Sequence, residues 1–174
     1  LSGYEVRSEI PADRSYGITM LSREDLPVEL LRIGEVRDSV LRVVASIGAQ
    51  DVVVYAVHAR APSSSSGAAA RDDVLAAVAR LAAAETLPVI VVGDLNATPW
   101  SHAFRSLSSE ADLRDSLDGF GYQASWPGHL PFFLQIPIDH LLLSPELTTI
   151  NRLLGPDFGS DHKALYVSVG VARP

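Results

Sequence analysis

The feature that most constrains the fold of this sequence is a pair of long β-branched runs, Val36–Ile47 and Val52–Val57, on either side of the turn residues 48–51. β-Branched side chains fit the pleated surface of a sheet, and two such runs around a short turn predict a hairpin of long strands. The second run is continuously apolar, and the first is mostly apolar from Val40 onward, which is typical of strands that are covered on both faces. We therefore expect a central sheet with other layers packed against it.

Other apolar segments along the chain also predict strands. They are Tyr4–Glu9, Ser15–Ser22, Val28–Ile33, Pro88–Val92, Ile136–Leu143 and Lys163–Val171. Strands dominate and helices are interspersed among them, so the predicted class is α/β or α+β with stacked layers.

Two segments predict helices. Ala68–Ala84 carries apolar residues at helical spacing and an acidic pair, Asp72 and Asp73, which is expected in the first turn. A shorter helix is expected over Pro99–Leu107, capped by the threonine that precedes it. The serine-rich stretch Arg60–Gly67 between strand and helix predicts a mobile loop.

The length and composition are those of one globular domain. The chain has 174 residues, of which 47% are hydrophobic and 20% are charged, values close to the globular average. Its 14 Lys and Arg residues against 21 Asp and Glu residues give a formal net charge of −7. This balance argues against a sequence-independent grip on bulk nucleic acid, because such binding requires a basic face. The chain has no Cys, which excludes disulfides, thiolate zinc sites and cysteine nucleophiles.

A short polar motif, Gly93–Asn96 (GDLN), comes directly after the apolar strand Pro88–Val92. In extended geometry the side chains of Asp94 and Asn96 point the same way. The carboxyl end of such a strand is where α/β proteins place their sites. Gly, Asp and Asn are also the residues of an ordinary turn, so both interpretations stay open for this motif taken alone.

Three histidines and two more acids complete the set of candidate residues. Asp161 and His162 precede the last predicted strand, where they form either an incidental exposed loop or a metal ligand beside a general base. Asp139 lies in an otherwise apolar run, and a buried Asp needs a partner. His140 is one candidate, but neighbours on a strand point to opposite faces, so His162 is better placed. Taken alone, His58 favours a strand-terminal histidine over a catalytic one.

Considered together, these side chains predict a metal site. Asp and Asn oxygens with imidazoles, in a chain without thiols, suit Mg²⁺ or Mn²⁺ better than zinc.

The four motifs, in order and spacing, resemble the endonuclease/exonuclease/phosphatase superfamily. They read VVYAVHARAP, VIVVGDLNATPWS, IPIDHLLLS and GSDHKAL. That superfamily includes pancreatic-type deoxyribonucleases, abasic-site endonucleases, sphingomyelinases and inositol-polyphosphate phosphatases. The likeness runs from about Tyr16 to Val169 and implies an α/β fold, a two-sheet β-sandwich flanked by helices in four layers.

The resemblance covers the C-terminal two-thirds of that fold. The family's fold begins with a strand that bears an Asn and a strand ending in Gln-Glu, whose Glu is a principal metal ligand, and nothing before Tyr16 matches either. We therefore expect residues 1–174 to form one partial domain, a piece of a longer protein. The sequence opens at Leu1, and its only Met is Met20.

The resemblance implies metal-dependent hydrolysis of a phosphate ester, a monoester or a diester. His162 is then the general base, Asp139 orients it, and Asp161 and Asp94 help to hold Mg²⁺ or Mn²⁺. Asp94 and Asn96 also position the attacking water and a phosphate oxygen. In the same scheme His58 donates to a phosphate oxygen or to the leaving group.

An alternative function is a catalytically inactive fragment or a binding module that retains the fold. The expected partner is a phosphate-ester substrate, and bulk nucleic acid stays an open one. Three segments are also similar to a bacterial branch with transmembrane helices before an externally facing domain, namely TPWSHAF, SWPGHLPFFLQIPIDHLLLSPEL and GPDFGSDHKAL. That likeness implies a cell-surface location and membrane contact through segments outside this sequence. A sandwich without its first strands would leave an open edge, so we also expect self-association.

Overall fold

The fold was analysed in a computed structural model that describes residues 3–9, 17–34 and 38–172. The described residues form short strands around one large sheet, with two helices and one 3₁₀ turn. The strands are β1 (Glu5–Glu9), β2 (Ile18–Ser22), β3 (Val28–Ile33), β4 (Asp38–Ile47), β5 (Gln50–His58), β6 (Val89–Asp94), β7 (Arg114–Asp115), β8 (Asp139–Leu143), β9 (Leu147–Leu154) and β10 (Leu165–Val171). The helices are α1 (Ser65–Ala83) and α2 (His102–Glu110), and the 3₁₀ turn is Phe132–Leu134.

The large sheet has six strands in the order β3-β4-β5-β6-β8-β7. The predicted hairpin is its centre: β4 and β5 pair antiparallel, with Ile47 opposite Gln50 across the turn. Strands β5 and β6 are parallel, and α1 forms the crossover between them, since parallel neighbours need a long connection. The parallel pair brings the carboxyl ends of both strands to the same edge of the sheet.

Both helices pack on one face of this sheet. Val74, Leu75 and Val78 of α1 belong to the same buried cluster as alternate residues of β5, among them Val53 and Tyr55. The alternation follows from the two-residue period of a strand, which sends every second side chain to the helical face. The helices therefore cover one face of β5, as the apolar pattern of the hairpin predicts.

The other face carries two small antiparallel sheets, β1–β2 and β9–β10. Val169 of β10 packs against a second buried cluster that contains Val52, Ile90 and Leu143. The α/β class with a large central sheet, flanking helices and a second β layer is thus confirmed. This second layer matters for function, because the chain enters β10 directly from the Asp161-His162 motif.

The predicted helix boundaries are wrong at both N-termini. Helix α1 begins within the serine-rich stretch that predicted a loop: Ser64 is the N-cap, and its hydroxyl accepts a hydrogen bond from Gly67 N at 3.0 Å. Asp72 and Asp73 therefore lie beyond the first turn. Helix α2 starts at its own cap, Ser101, rather than at the predicted threonine. In each case the serine hydroxyl accepts a hydrogen bond from one N–H of the first turn, which has no partner within the helix.

The strand predictions are correct in the centre of the large sheet and incomplete at its margins. β8 begins at Asp139, later than predicted, because Ile136 instead forms an isolated bridge with Trp126. Strands β7 and β9 were not predicted. The first residues of the predicted strands Ser15–Ser22 and Val36–Ile47 lie outside the described residues.

Within the part of the chain that the structure describes, no helix combines the length and the apolar character needed to cross a membrane. The longest one, α1, has 19 residues, and several of them are charged.

Candidate active site

The candidate site is built on a row of three side chains across the large sheet. The strand register places His58 of β5 opposite Asp94 of β6, and Asp94 opposite Asp139 of β8. Residues that are opposite one another on neighbouring strands lie within side-chain reach. Three residues that are 36 and 45 positions apart in the chain, as their numbers give, thus become lateral neighbours at one edge of the sheet.

The close approach of β6 to β5 at Gly93 fixes the position of Asp94, the next residue. Gly93 has a φ of +139°, and a Cβ at this position would lie 1.9 Å from the carbonyl oxygen of Val57 on the neighbouring strand. Only glycine fits such a close approach of two backbones. The GDLN motif therefore has glycine where β6 meets β5, one residue before the carboxylate.

Asn96 holds Asp94 in place. It has a φ of +47°, a left-handed conformation that Asn tolerates better than most residues. Its backbone N–H donates to Asp94 Oδ1 at 2.9 Å, and its amide Nδ2 donates to Asp94 Oδ2 at 3.0 Å and to the carbonyl of Ala59 at 2.9 Å. The GDLN motif is therefore both a turn and part of the candidate site. The predicted proximity of Asp94 and Asn96 is correct, but a left-handed turn produces it and not extended geometry. Both amide hydrogens of Asn96 are used here, so its side chain supports the carboxylate.

His162 closes over this row from the second layer. Its Nδ1 lies 2.8 Å from Asp139 Oδ2, and its Nε2 lies 3.9 Å from Asp94 Oδ2. The expectation that Asp139 pairs with His162 rather than with its chain neighbour is confirmed. An N–H at Nδ1 that donates to a carboxylate leaves Nε2 as the basic nitrogen of the neutral ring.

The negative charge around His162 controls its protonation. Burial alone would lower the pKa of His162, but the hydrogen bond and charge of Asp139, with the charges of Asp94 and Asp161, raise it above the ordinary value of 6.5. Burial is also the main cause that raises the pKa of Asp94, and the charge of Asp139 adds to it. Both shifts have one origin, two carboxylates and an imidazole in a half-buried space. The cluster therefore has a high affinity for a positive charge, either a proton or a cation.

His58 contacts the same carboxylate from the other side. Its Nδ1 lies 3.0 Å from the carbonyl of Gly17, which accepts from it, and its Nε2 lies 3.8 Å from Asp94 Oδ2. The predicted membership of His58 in the site is consistent with this geometry, and its role as a proton or hydrogen-bond donor stays a prediction.

His140, the other candidate partner for Asp139, lies on the opposite face of β8. It is fully buried, its Nε2 donates to the carbonyl of Ala97 at 2.9 Å, and its Nδ1 lies 3.2 Å from Asp115 Oδ2. Its ring also packs against Phe104 of α2. This histidine links the turn after β6 to β7, on the face of β8 that is turned away from Asp94 and His162.

Asp161 lies at the rim of the site, where its carboxylate accepts a hydrogen bond from an indole N–H. Trp126 Nε1 donates to Asp161 Oδ2 at 3.2 Å. Among the described residues, the group that offers ligand atoms within 4.8 Å of one another is Asp94, Asp139 and His162. Asp161 does not belong to this group in the structure, so its role as a ligand stays a prediction.

The donor set fits a hard divalent cation. Carboxylate oxygens with one imidazole and no thiolate are the ligands that Mg²⁺ and Mn²⁺ accept. The raised pKa of Asp94 indicates the same need, because burial and the neighbouring carboxylate disfavour its charge unless a cation or proton compensates it. The structure thus contains a candidate Asp/Asp/His metal site.

A cavity of about 640 Å³ opens beside these residues. Its lining includes His58, Asp94 and His162 on one side, with Arg71 and Trp126 elsewhere on its wall. Neither Arg71 nor Trp126 was among the predicted site residues. Arg71 donates to the carbonyl of Asn96 at 3.1 Å, and only the packing of α1 on the turn after β6 reveals this contact.

A family model described as the endonuclease/exonuclease/phosphatase family matches residues 3–162. The chain belongs to this family. The match covers most of the chain, and it includes the whole row on β5, β6 and β8 as well as His162. A search of curated proteins finds no match.

Solved structures with the same fold come from bacteria and animals. An endonuclease/exonuclease/phosphatase from Beutenbergia cavernae has a TM-score of 0.70 and 21% identity, over 89% of this chain and 47% of that one. The human Nocturnin catalytic domain with a bound sulfate anion has a TM-score of 0.74 and 16% identity, over 98% of this chain and 73% of that one. D. rerio TDP2 complexed with single-strand DNA product has a TM-score of 0.72 and 18% identity, over 97% of this chain and 78% of that one.

These likenesses, all with low sequence identity, show a shared fold. This family member spans about half the length of the Beutenbergia protein and roughly three-quarters of the other two.

Proposed function

We propose that this protein is a metal-dependent hydrolase of phosphate esters. The observation that carries the proposal is the contact of 2.8 Å between His162 Nδ1 and Asp139 Oδ2. The other ring nitrogen of His162, Nε2, lies 3.9 Å from Asp94 Oδ2 at the wall of an open cavity. A carboxylate that fixes the tautomer of an imidazole is the arrangement of a general base. Membership of the endonuclease/exonuclease/phosphatase family supports a hydrolase of the phosphoesterase or nuclease type.

His162 accepts a proton from the attacking water at Nε2. Asp139 keeps the proton of the ring on Nδ1 and stabilises the imidazolium that forms. The half-buried position of His162 reduces competition from solvent for this proton. Its raised pKa means that, in the absence of a cation, the ring keeps its proton to a higher pH than an ordinary histidine, and activity increases as the ring loses that proton.

Asp94 would hold the Mg²⁺ or Mn²⁺ ion, with Asp161 as the predicted second oxygen ligand. A bound divalent ion supplies Lewis-acid polarisation of the phosphoryl oxygens and neutralises charge on the leaving group. Asn96 keeps the Asp94 carboxylate in one orientation through two hydrogen bonds. His58, on the far side of Asp94, would donate from Nε2 to the phosphate or the leaving oxygen in its protonated form, since its Nδ1 already donates to the carbonyl of Gly17.

The fold relatives support a phosphate-type ligand. The Nocturnin structure contains sulfate, an oxyanion with the shape of phosphate, and the TDP2 structure contains a single-strand DNA product. The net charge of −7 of this chain disfavours an extended nucleic-acid backbone. We therefore propose a compact phosphate ester as the substrate.

Hydrolysis of bis-p-nitrophenyl phosphate in Mn²⁺ tests the proposal. We expect metal-dependent turnover that His162→Ala lowers by at least about a thousandfold, because the general base is lost together with its orientation. His102→Ala, which changes an exposed histidine at the start of α2, is the matched control and keeps the wild-type rate.

Two results would contradict the hydrolase assignment. One is turnover that His162→Ala leaves unchanged. The other is binding of Mn²⁺ and inorganic phosphate, seen by calorimetry, without turnover in any metal, which would identify a binding module that retains the fold.

A further inference from the structure

A compact loop with an exposed apolar tip projects beside the cavity. Its ends are Trp126 and Ile136, which close the base through two backbone hydrogen bonds, Trp126 N to Ile136 O at 3.1 Å and Ile136 N to Trp126 O at 2.6 Å. We call residues 126–136 the apolar loop. Both closing residues also line the cavity, so the loop and the site share a wall.

The tip of the apolar loop is more exposed than its composition should allow. Phe133 is 81% exposed, Phe132 58% and Leu134 55%, and Leu130 is exposed as well. Large apolar side chains in one contiguous segment mark a contact surface rather than an ordinary solvent-facing turn. Phe133 is the most exposed large apolar residue among those that the structure describes.

The apolar loop also lies in an uncharged stretch. Residues 119–138 include no Asp, Glu, Lys or Arg, in a chain in which 20% of the residues are charged. A surface that binds nucleic acid needs cations beside its aromatic residues. The absence of charged residues around the apolar loop therefore favours an uncharged, apolar partner.

Part of the backbone of the apolar loop is hydrogen-bonded within the protein. Leu134 N donates to Pro131 O at 2.8 Å, and Leu130 N donates to Pro127 O at 3.1 Å. Two prolines in the loop have no N–H to satisfy. These internal bonds and the two prolines reduce the number of backbone groups that would lose water at an apolar surface.

A buried glutamine completes this pattern. The side chain of Gln135, which is 4% exposed, donates to the carbonyls of Gly128 at 3.2 Å and Leu130 at 2.5 Å. Its own oxygen accepts from Lys163 Nζ at 2.7 Å, and Tyr122 donates to its backbone carbonyl at 2.7 Å. The tip is thus held on a preorganised polar base, so that ordering it at a surface costs little entropy.

We propose that the apolar loop inserts its tip, Phe132 to Leu134, into the surface of a lipid bilayer. The tip protrudes, so a deformable apolar phase accommodates it without a complementary pocket. Because the loop carries no formal charge and the chain is acidic, the attraction is apolar and does not depend on anionic lipid. The inserted loop would hold the mouth of the cavity beside the headgroups.

Flotation with phosphatidylcholine vesicles tests the insertion, in EDTA so that the result does not depend on metal or turnover. We expect the wild-type chain to float with the vesicles, and Phe133→Ser to lower its partition coefficient about tenfold or more. Ile150→Ser is the matched control, since Ile150 is 65% exposed on β9, outside the loop, and its variant floats like the wild type. Phe133→Trp should still float, with a blue shift of its emission in vesicles.

Three results would overturn the proposal. The first is wild-type protein that stays with the soluble fraction at saturating lipid. The second is binding to a labelled single-stranded oligonucleotide, weakened by Phe133→Ser, with no binding to vesicles. The third is a dimer in sedimentation equilibrium that the same substitution dissociates, which would assign the tip to a second copy of this chain. Circular dichroism melting shows whether Phe133→Ser folds, as its exposed position predicts.

Discussion

His162 and Asp139 belong to different layers of the fold. The hydrogen bond between their side chains is a polar contact that joins these layers. Asp139 is half-buried at the start of β8, and His162 reaches it from the segment before β10. A carboxylate at this depth is stable as an anion only beside a donor, and an imidazole at this depth is stable as a cation only beside an anion. Asp139 therefore raises the pKa of His162 through its hydrogen bond and its charge.

Asp139→Asn should lower the pKa of His162. Loss of the carboxylate removes the main cause that raises this pKa, while burial, which lowers it, remains. We expect the imidazole of the metal-free variant to titrate at a lower pH than that of the wild type, measured by NMR of the ring protons. Equal pKa values in the two proteins would contradict the assigned pair.

The same pair makes stability depend on pH with a defined sign. Since the pKa of His162 is raised in the folded protein, protonation stabilises the native state fully below the unfolded value of about 6.5. That contribution is lost as the pH rises through the higher folded pKa. Urea unfolding across this range should show a larger loss in the wild type than in Asp139→Asn.

Gly93→Ala should be strongly destabilising. A Cβ there would meet the carbonyl of Val57 at 1.9 Å and would also require a φ of +139°. We expect a loss of about 3 kcal/mol or more in the free energy of unfolding. Gly119→Ala is the matched control: its φ is +87° with open space around it, so it should cost only about 1–2 kcal/mol. Similar losses in urea unfolding would show that the close approach to β5 is unimportant.

At this scale, the sequence predicted the residues of the site better than their geometry. The pairing of Asp139 with His162 rather than His140 follows from the alternation of a strand, which is a local rule. The left-handed turn at Asn96 and the bond from Trp126 to Asp161 depend on contacts between segments far apart in the chain. No local pattern specifies such contacts.

Among the elements, helix α1 shows how one side chain moves a boundary. Ser64 caps the helix through Gly67 N, although the run of four serines has the composition of a loop. Serine competes with the backbone for hydrogen bonds and so favours both caps and loops. The composition alone does not decide between these outcomes.

Ser64→Ala should destabilise the protein by about 1 kcal/mol, since one N–H of the first turn loses its acceptor. Ser63→Ala, one residue earlier and also exposed, is the control and should leave the free energy of unfolding unchanged. Thermal unfolding by circular dichroism measures both. An equal effect of the two substitutions would argue against the cap at Ser64.

The strands follow the same logic. The continuous apolar runs of β4, β5 and β6 were predicted because their burial on two faces excludes other choices. β9 was not, since its residues are a mixture of buried and exposed positions, and the two residues of β7 carry no periodic signal. Pairing with β8 and β10 defines these marginal strands, and pairing is not visible in a single segment.

For the whole molecule, the candidate metal site joins layers that otherwise meet through apolar packing. Asp94 comes from the central sheet, and Asp161, the predicted second ligand, comes from the segment that leads into β10. A cation that binds only when these groups converge stabilises the complete fold.

Mn²⁺ should therefore raise the Tm, by about 5–10 °C at roughly a hundred times its Kd. Asp94→Asn should abolish this increase, because the carboxylate at the centre of the row is lost. Asp112→Asn changes an exposed aspartate with a φ of +49°, a conformation that Asn accepts, and should keep the full increase. Differential scanning calorimetry with and without Mn²⁺ makes the comparison, and a retained increase in Asp94→Asn would exclude this residue as a ligand.

Trp126 gives the protein a built-in optical reporter. Its indole bonds Asp161, and its ring centroid lies 6.4 Å from that of His162. The chain has only one other tryptophan, Trp100, which is 56% exposed. In a Trp100→Phe background, fluorescence would come from the wall of the cavity alone. Quenching by the charged imidazole, and its relief when that ring becomes neutral, could then be followed in real time without a label.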